Sequence, residues 1–358
     1  MPVREDSFRI GCGRYIQGSG YVNRVGEEVL RLGKAPLIIG GKTALGITKA
    51  EIEKSVAETC NQYEFVTHTG TCNEERAKEL AHLAEEKGYD VIVGVGGGVI
   101  CDFAKLCGYF ARLPVVCVPT SSATCAAYTP LSVRYTPEGR TVGSLHYSYE
   151  VNAVIVDTEI LAKQPVRLLL AGVFDALAKF IEIKQRFTAN SPLGLDYAFS
   201  MAETSYNTLN ELTDRCIEDM KKGKITEAVE RVIFTSIAAT GVISGIARGS
   251  NQCALAHKFY DTTRTLFPET AKPYLHGEIV GVGLLLQNHF NGEEQNNIAL
   301  LRLMKKNNMP YRLEDIGVDK TEEISRQYYE KLCATSAIET EEEQERLKPS
   351  LRYLWNIR

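Results

Sequence analysis

Short unbroken apolar runs, each followed by an amphipathic stretch of about a dozen residues, constrain the first 160 residues of this chain. Ala35-Pro36-Leu37-Ile38-Ile39-Gly40-Gly41, Tyr63-Glu64-Phe65-Val66-Thr67, Val91-Ile92-Val93-Gly94-Val95 and Pro114-Val115-Val116-Cys117-Val118 read as strands. A strand that is apolar on both faces must be covered on both faces. Helices between such strands make the crossovers of a parallel sheet. Glu51 to Thr59 and Asn73 to Lys87 supply such helices, the second with Asn73 as N-cap ahead of Glu74 and Glu75. Leu131 to Tyr135 and Ala153 to Val156 form a further β segment. The polar Thr136-Pro137-Glu138-Gly139 between them reads as a hairpin turn.

After Thr158 strand-like runs nearly vanish. Leu168 to Lys184, Leu193 to Cys216, Lys224 to Arg248, Ile279 to Asn291, Asn296 to Lys306 and Thr321 to Ala334 read as helices. The expected fold is a doubly wound, mostly parallel α/β domain over residues 1–160 and an all-α domain over 161–358, with the boundary near 157–162. No internal repeat is visible, and the acidic run Glu339 to Glu345 reads as a solvated helix face.

Length and composition exclude several classes. A chain of 358 residues, 44% apolar and 24% charged, has material for two ordinary globular cores. A net charge of −4 gives no reason to expect nucleic acid or an anionic membrane as partner. No run of 18 apolar residues is present to span a bilayer, and Met1-Pro2-Val3-Arg4-Glu5-Asp6 lacks the apolar core of a signal peptide. The ten cysteines are scattered without a CxxC pair, which reads as reduced thiols in a cytoplasmic protein.

Two features carry chemistry. Gly96, Gly97 and Gly98 follow a strand and lead into a helical run. That arrangement turns backbone N–H groups and a helix dipole toward a phosphate, and it also occurs as an ordinary tight turn. The next strand ends in the hydroxyl-rich Pro119-Thr120-Ser121-Ser122-Ala123-Thr124, at the edge where open α/β sheets bind ligands. Further on, Asp175 sits among Leu168, Leu169, Leu170, Val173, Phe174, Leu177 and Phe180, an apolar setting in which a carboxylate must be paired or coordinated. With His257 and His276 it makes the donor set of a catalytic divalent metal with one open position. A salt bridge of Asp175 with Lys179 and a core histidine at 257 remain the plainer alternatives.

On these segments the chain resembles the metal-dependent (iron-containing, group III) alcohol dehydrogenase superfamily, on its glycerol dehydrogenase and hydroxycarboxylate dehydrogenase branch. The resemblance rests on Gly96-Gly97-Gly98 with Asp102 and Lys105, Val118-Pro119-Thr120 with Thr124, and Leu131-Ser132-Val133. It continues through Val156-Asp157-Thr158-Glu159, Leu169-Leu170-Ala171-Gly172 with Asp175-Ala176-Leu177-Ala178, His257, and His276-Gly277-Glu278. It implies a dehydroquinate synthase-like fold with the active site in a cleft between the domains. It further implies NAD or NADP on Gly96, Gly97, Gly98, Asp102, Thr120, Ser121, Thr124 and Leu131, and one divalent metal on Asp175, His257 and His276. Zinc suits three protein ligands, with iron or manganese as alternatives. The expected partners are a small alcohol or 2-oxo acid and other copies of the chain, as a dimer or octamer.

The departures from the family bear on substrate and cofactor. Glycerol dehydrogenases carry an aspartate where Cys125 stands, and the change brings the segment closer to hydroxycarboxylate dehydrogenase, which reduces 2-oxo acids. Loss of a carboxylate opens a pocket to anions, to which Lys179 or Arg134 would supply the positive charge. Lys179 also replaces a fourth histidine ligand of the longer-chain branch, Tyr260 replaces a second histidine, and Phe174 replaces a glycine. At the end of the first expected strand, Gly40 stands in place of the aspartate that holds the NAD ribose. With Lys42 nearby, NADP(H) is expected to be accepted. The main expectation is therefore a metal-dependent 2-hydroxy acid dehydrogenase, with glycerol dehydrogenase as the alternative. A cyclase-lyase of the dehydroquinate synthase type and a non-catalytic paralogue stand behind both.

Overall fold

The computed structural model describes residues 8–137, 139–187 and 191–358. The Met1-to-Asp6 segment and Glu138 of the expected turn lie outside the described residues. Two compact units divide the chain, Arg9–Gln164 with Arg215–Val242, and Pro165–Asp214 with Ile243–Arg358.

The first unit contains β1 (Tyr15–Gly18), β2 (Pro36–Gly40), β3 (Glu64–Thr67), β4 (Val91–Gly96), β5 (Val115–Pro119), β6 (Leu131–Tyr135), β7 (Thr141–His146) and β8 (Ala153–Asp157). Six of them form one parallel sheet in the order β1-β8-β5-β4-β2-β3. Every residue of β2, β4, β5 and β8 is buried, as unbroken apolar runs require, whereas the edge strands β1 and β3 are only partly covered. Val22, Val25 and Val29 join Ile52 and Val56 of the Lys42–Thr59 helix against one face of the sheet, beneath Ile38, Val93, Val116 and Ile155. The chain builds β3 on one side of β2 and then reverses to build β4, β5 and β8 on the other. The topological switch point therefore falls between the C-terminal ends of β2 and β4, at Gly40 and Gly96.

The expected hairpin is corrected by the structure. Its partner for β6 is β7, paired antiparallel from Leu131 with His146 to Tyr135 with Thr141. Ala153–Asp157 instead enters the main sheet between β1 and β5. The physical reason is burial: Ala-Val-Ile-Val is apolar on both faces and needs cover on both. The mixed Thr-Val-Gly-Ser-Leu-His of β7 tolerates its largely exposed position.

The second unit is helical. Its central element is His276–Phe290, buried from Gly277 to Asn288, which lies against both Val166–Arg186 and Leu255–Leu266. Small residues allow this approach: a Cβ on Gly277 would lie 1.8 Å from the Ala171 carbonyl oxygen, and one on Gly283 would lie 2.8 Å from that of Ala256. The acidic run has a structural role beyond solvation. Thr340 caps the Glu341–Trp355 helix, and the Glu343 carboxylate returns to accept from the Thr340 N–H. One helical run, Glu227–Ala247, is long and apolar enough by length and composition to cross a membrane, and 56% of its most apolar window is buried within the protein. No disulfide joins the described cysteines.

Gly277→Ala is expected to destabilise the metal-free protein by about 1–3 kcal/mol, because the clash is with backbone and the two helices must part. Urea unfolding measures it; a stability unchanged from the parent would contradict the tight helix contact.

Candidate active site

Asp175 lies midway along the Val166–Arg186 helix, and the spacing 175, 179, 182 puts Lys179 and Glu182 on its face over the next two turns. All three are buried. Lys179 Nζ is 3.4 Å from Asp175 Oδ1. The same oxygen is 3.4 Å from His257 Nε2 and 3.6 Å from His276 Nε2. One candidate ligand atom from each of Asp175, His257 and His276 can be chosen so that all lie within 4.8 Å of one another.

Glu182 organises this cluster from behind. Its Oε1 accepts from the Ala254 N–H at 2.7 Å and the His257 N–H at 2.9 Å, while Gln287 Oε1 accepts from Leu255 and Ala256. Backbone donors at the start of the Leu255–Leu266 helix are thus satisfied by side chains from two neighbouring helices. Glu182 Oε2 meets His257 Nδ1, so that nitrogen keeps its proton and Nε2 faces Asp175. A carboxylate behind a histidine is the arrangement that fixes ring and tautomer for metal binding.

The electrostatics call for a cation. Burial alone would raise the Asp175 pKa, but Lys179, His257 and His276 hold it well below the ordinary carboxylate range. Glu182 is likewise lowered, with burial opposed by His257. Burial disfavours a charged His257, yet Cys253, Glu182 and Asp175 raise its pKa well above the ordinary value. Two buried carboxylates thus share one buried ammonium and draw further positive charge onto the His257 imidazole. A divalent ion meets that demand, and a carboxylate with two imidazoles is a donor set that holds one.

In the first unit the glycine run opens the Gly98–Ala111 helix at the C-terminal end of β4, with Gly97 as an N-cap that has no side-chain partner. A Cβ on Gly98 would lie 2.8 Å from Thr124 Oγ1, and one on Gly97 would lie 3.3 Å from Ser121 Oγ. The hydroxyls after β5 therefore border the glycine turn, and the Thr120 N–H ties to Gly96 O at 3.0 Å. Exposed Lys42 begins the helix that follows Gly40 and Gly41 at the switch point. A cavity of about 850 Å³ lined by Tyr109, Phe110, Arg112 and Tyr149 lies at the other end of the sheet and includes none of these residues.

Residues 12–158 match the model of the iron-containing alcohol dehydrogenase family. The chain is 32% identical over 338 residues to glycerol dehydrogenase of Thermotoga maritima, covering 90% of this chain and 88% of that one. It is 36% identical over 280 residues to glycerol dehydrogenase of Escherichia coli O6:H1, covering 77% and 75%. It is 33% identical over 328 residues to hydroxycarboxylate dehydrogenase A of Escherichia coli K12, covering 89% and 88%. The chain belongs to the iron-containing alcohol dehydrogenase family. The fold agrees: the crystal structure of glycerol dehydrogenase from Schizosaccharomyces pombe superposes with a TM-score of 0.84 at 23% identity, over 98% of this chain and 93% of that one. As a member of the family the protein is an alcohol dehydrogenase, and the family implies a nicotinamide cofactor and a divalent metal.

Within this family member the departures find definite surroundings. Phe174 is fully buried against Gly281, where a Cβ would come 3.2 Å from the ring, so it fills the helix contact. Tyr260 sets its ring edge-on to His276 with centroids 4.3 Å apart. Arg134 pairs with Glu74 at 3.2 Å. Asp102 does not sit open at the helix start. It is buried, 2.8 Å from Lys105 Nζ, and accepts from the Val133 N–H. Lys105 in turn donates to the carbonyls of Ala126, Thr129 and Leu131, which anchors the turn that holds buried Cys125. Sequence reasoning missed Glu182, Gln287 and the pair of Arg167 with Glu278. The available signal for Glu182 was an acid two turns after Asp175 on the same apolar helix.

Glu182→Gln is expected to weaken zinc binding by about 10- to 100-fold, since the amide keeps the backbone acceptor but not the anion behind His257. Titration of metal-free protein with zinc measures it. An affinity within twofold of the parent would remove Glu182 from the site.

Proposed function

We propose that this protein is a reversible dehydrogenase of small polyols, of the glycerol dehydrogenase type. A CH–OH group is oxidised to a carbonyl, its hydride reduces NAD(P)+, and one proton is released. The observation that carries this reading is the convergence of Asp175, His257 and His276 in front of Glu182. Two glycerol dehydrogenase relatives, each matched over three quarters or more of its length, support the substrate class. Asp175, His257 and His276 would hold a divalent cation, which would supply Lewis acidity toward an alcohol or carbonyl oxygen. Zinc is the proposed metal, because three carboxylate and imidazole ligands suit it.

The remaining roles belong to the chain. Glu182 keeps the His257 tautomer that turns Nε2 toward Asp175, and Lys179 offsets part of the carboxylate charge. The N–H groups after Gly97, with Ser121 and Thr124 beside them, form a cradle suited to the cofactor phosphates. Gly40 presents no carboxylate to a ribose 2′-phosphate, and Lys42 at the neighbouring helix start favours one, so NADP(H) is proposed to serve alongside NAD(H).

A second reading, reduction of 2-oxo acids, is favoured by two residues. Cys125 puts an uncharged thiol in the turn after β5, and Lys179 holds an ammonium 3.4 Å from Asp175 Oδ1. The similarity to hydroxycarboxylate dehydrogenase A supports it too.

NADH oxidation is expected with dihydroxyacetone, to be abolished by chelation and restored by zinc. A higher kcat/KM for 2-oxobutyrate or 2-oxoglutarate would put the second reading first, and no turnover of any of the three would overturn both. Lys42→Ala is expected to raise the KM for NADPH about fivefold, the worth of one exposed charge pair, with that for NADH unchanged. Equal effects on the two cofactors would take Lys42 out of the 2′-phosphate site.

A further inference from the structure

The two histidines of the candidate metal site are supported in different ways. His257 has a carboxylate behind its ring, a backbone N–H held by the same carboxylate, and a side chain only 12% exposed. The His276 side chain is 30% exposed. Among the described residues, its ring has Asp175 as polar partner and the edge of Tyr260 as neighbour. Both rings face Asp175 Oδ1, but among the described residues no carboxylate stands behind the His276 ring as Glu182 stands behind that of His257, so more of its placement must come from its backbone.

That backbone is fixed by a ladder of three contacts. Arg167, Ala171 and Asp175 are spaced by four, one per turn along the same face of the Val166–Arg186 helix. Glu278, Gly277 and His276 meet them in that order. Arg167 donates from Nε and Nη2 to the two Glu278 oxygens, each at 2.6 Å, and Glu278 is buried. Gly277 packs on the Ala171 carbonyl with no room for a Cβ. His276 Nε2 faces Asp175. The same Glu278 carboxylate accepts from the Leu275 N–H at 2.8 Å, and Arg167 Nη2 also donates to Pro273 O at 2.8 Å. The guanidinium therefore grips the segment entering the helix on both sides of His276.

We propose that Arg167 and Glu278 are positioning residues for metal binding. Their two-pronged ion pair sets where His276 stands relative to Asp175, and without it the site holds a cation chiefly through Asp175 and His257. The proposal rests on the metal-site reading above.

The test is a double-mutant cycle read by metal affinity. The full-length protein, Arg167→Met, His276→Ala and the double variant are stripped of metal and titrated with Co2+ and with Zn2+. The cobalt visible spectrum reports ligand number, and thermal unfolding of each metal-free form reports the fold. Arg167→Met is expected to weaken binding about 10- to 100-fold in the parent and to shift the cobalt spectrum toward that of His276→Ala. In the His276→Ala background the same change is expected to cost less than about twofold. If Arg167→Met folds poorly, Arg167→Lys, which keeps the charge and loses the second prong, is expected to give an intermediate loss by the same criteria. An equal loss in both backgrounds would make Arg167 a support of the fold alone, and no loss in the parent would dismiss it altogether. Failure of the parent to bind either metal would instead bring down the metal-site reading, and this proposal with it.

Discussion

Two carboxylates buried on one face of one apolar helix govern the second unit. Neither Asp175 nor Glu182 can lose water without gaining donors or positive charge. Glu182 meets that demand with two backbone N–H groups and an imidazole, and in doing so it starts the Leu255–Leu266 helix and turns His257. Asp175 draws on Lys179, His257 and His276. The packing of three helices and the gathering of the candidate ligands are therefore one event. Close contact at Gly277 and Gly283 brings the helix of His276 near enough to take part.

The first unit meets a similar demand with opposite polarity. Lys105 is a buried cation, and it is satisfied by Asp102 and three carbonyls of the turn between β5 and β6. The motif Gly96-Gly97-Gly98 with Asp102 and Lys105 thus has two halves. The glycines leave a helix start open beside Ser121 and Thr124, and the charged pair holds the neighbouring turn in place beneath it.

What the sequence revealed follows from the range of each interaction. Strands β2, β4, β5 and β8 are legible because burial on both faces demands an unbroken apolar run. β1 and β7 are not, since an edge strand and an exposed hairpin strand place little demand on composition, and missing β7 misassigned the partner of β6. The Lys42–Thr59 helix starts well before the expected Glu51 because its first turns carry Gly46 and β-branched residues that mask the pattern. In the site, residue type and family resemblance singled out Asp175, His257 and His276. Glu182 and Arg167 stayed hidden because a helix face shows that an acid or a base is present, not which distant backbone it will meet. Asp102, expected at the cofactor, has its partners in Lys105 and Val133, a contact that only the folded turn creates.

The Lys105 anchor has a consequence for which changes the turn can tolerate. The turn from Ala126 to Leu131 is held through three of its carbonyl oxygens, contacts that any side chain at those positions would leave available. Cys125 directly precedes this anchored stretch, beside the glycine turn at Gly98. A backbone held in this way leaves side chains along the turn open to exchange while the path that carries them stays in place.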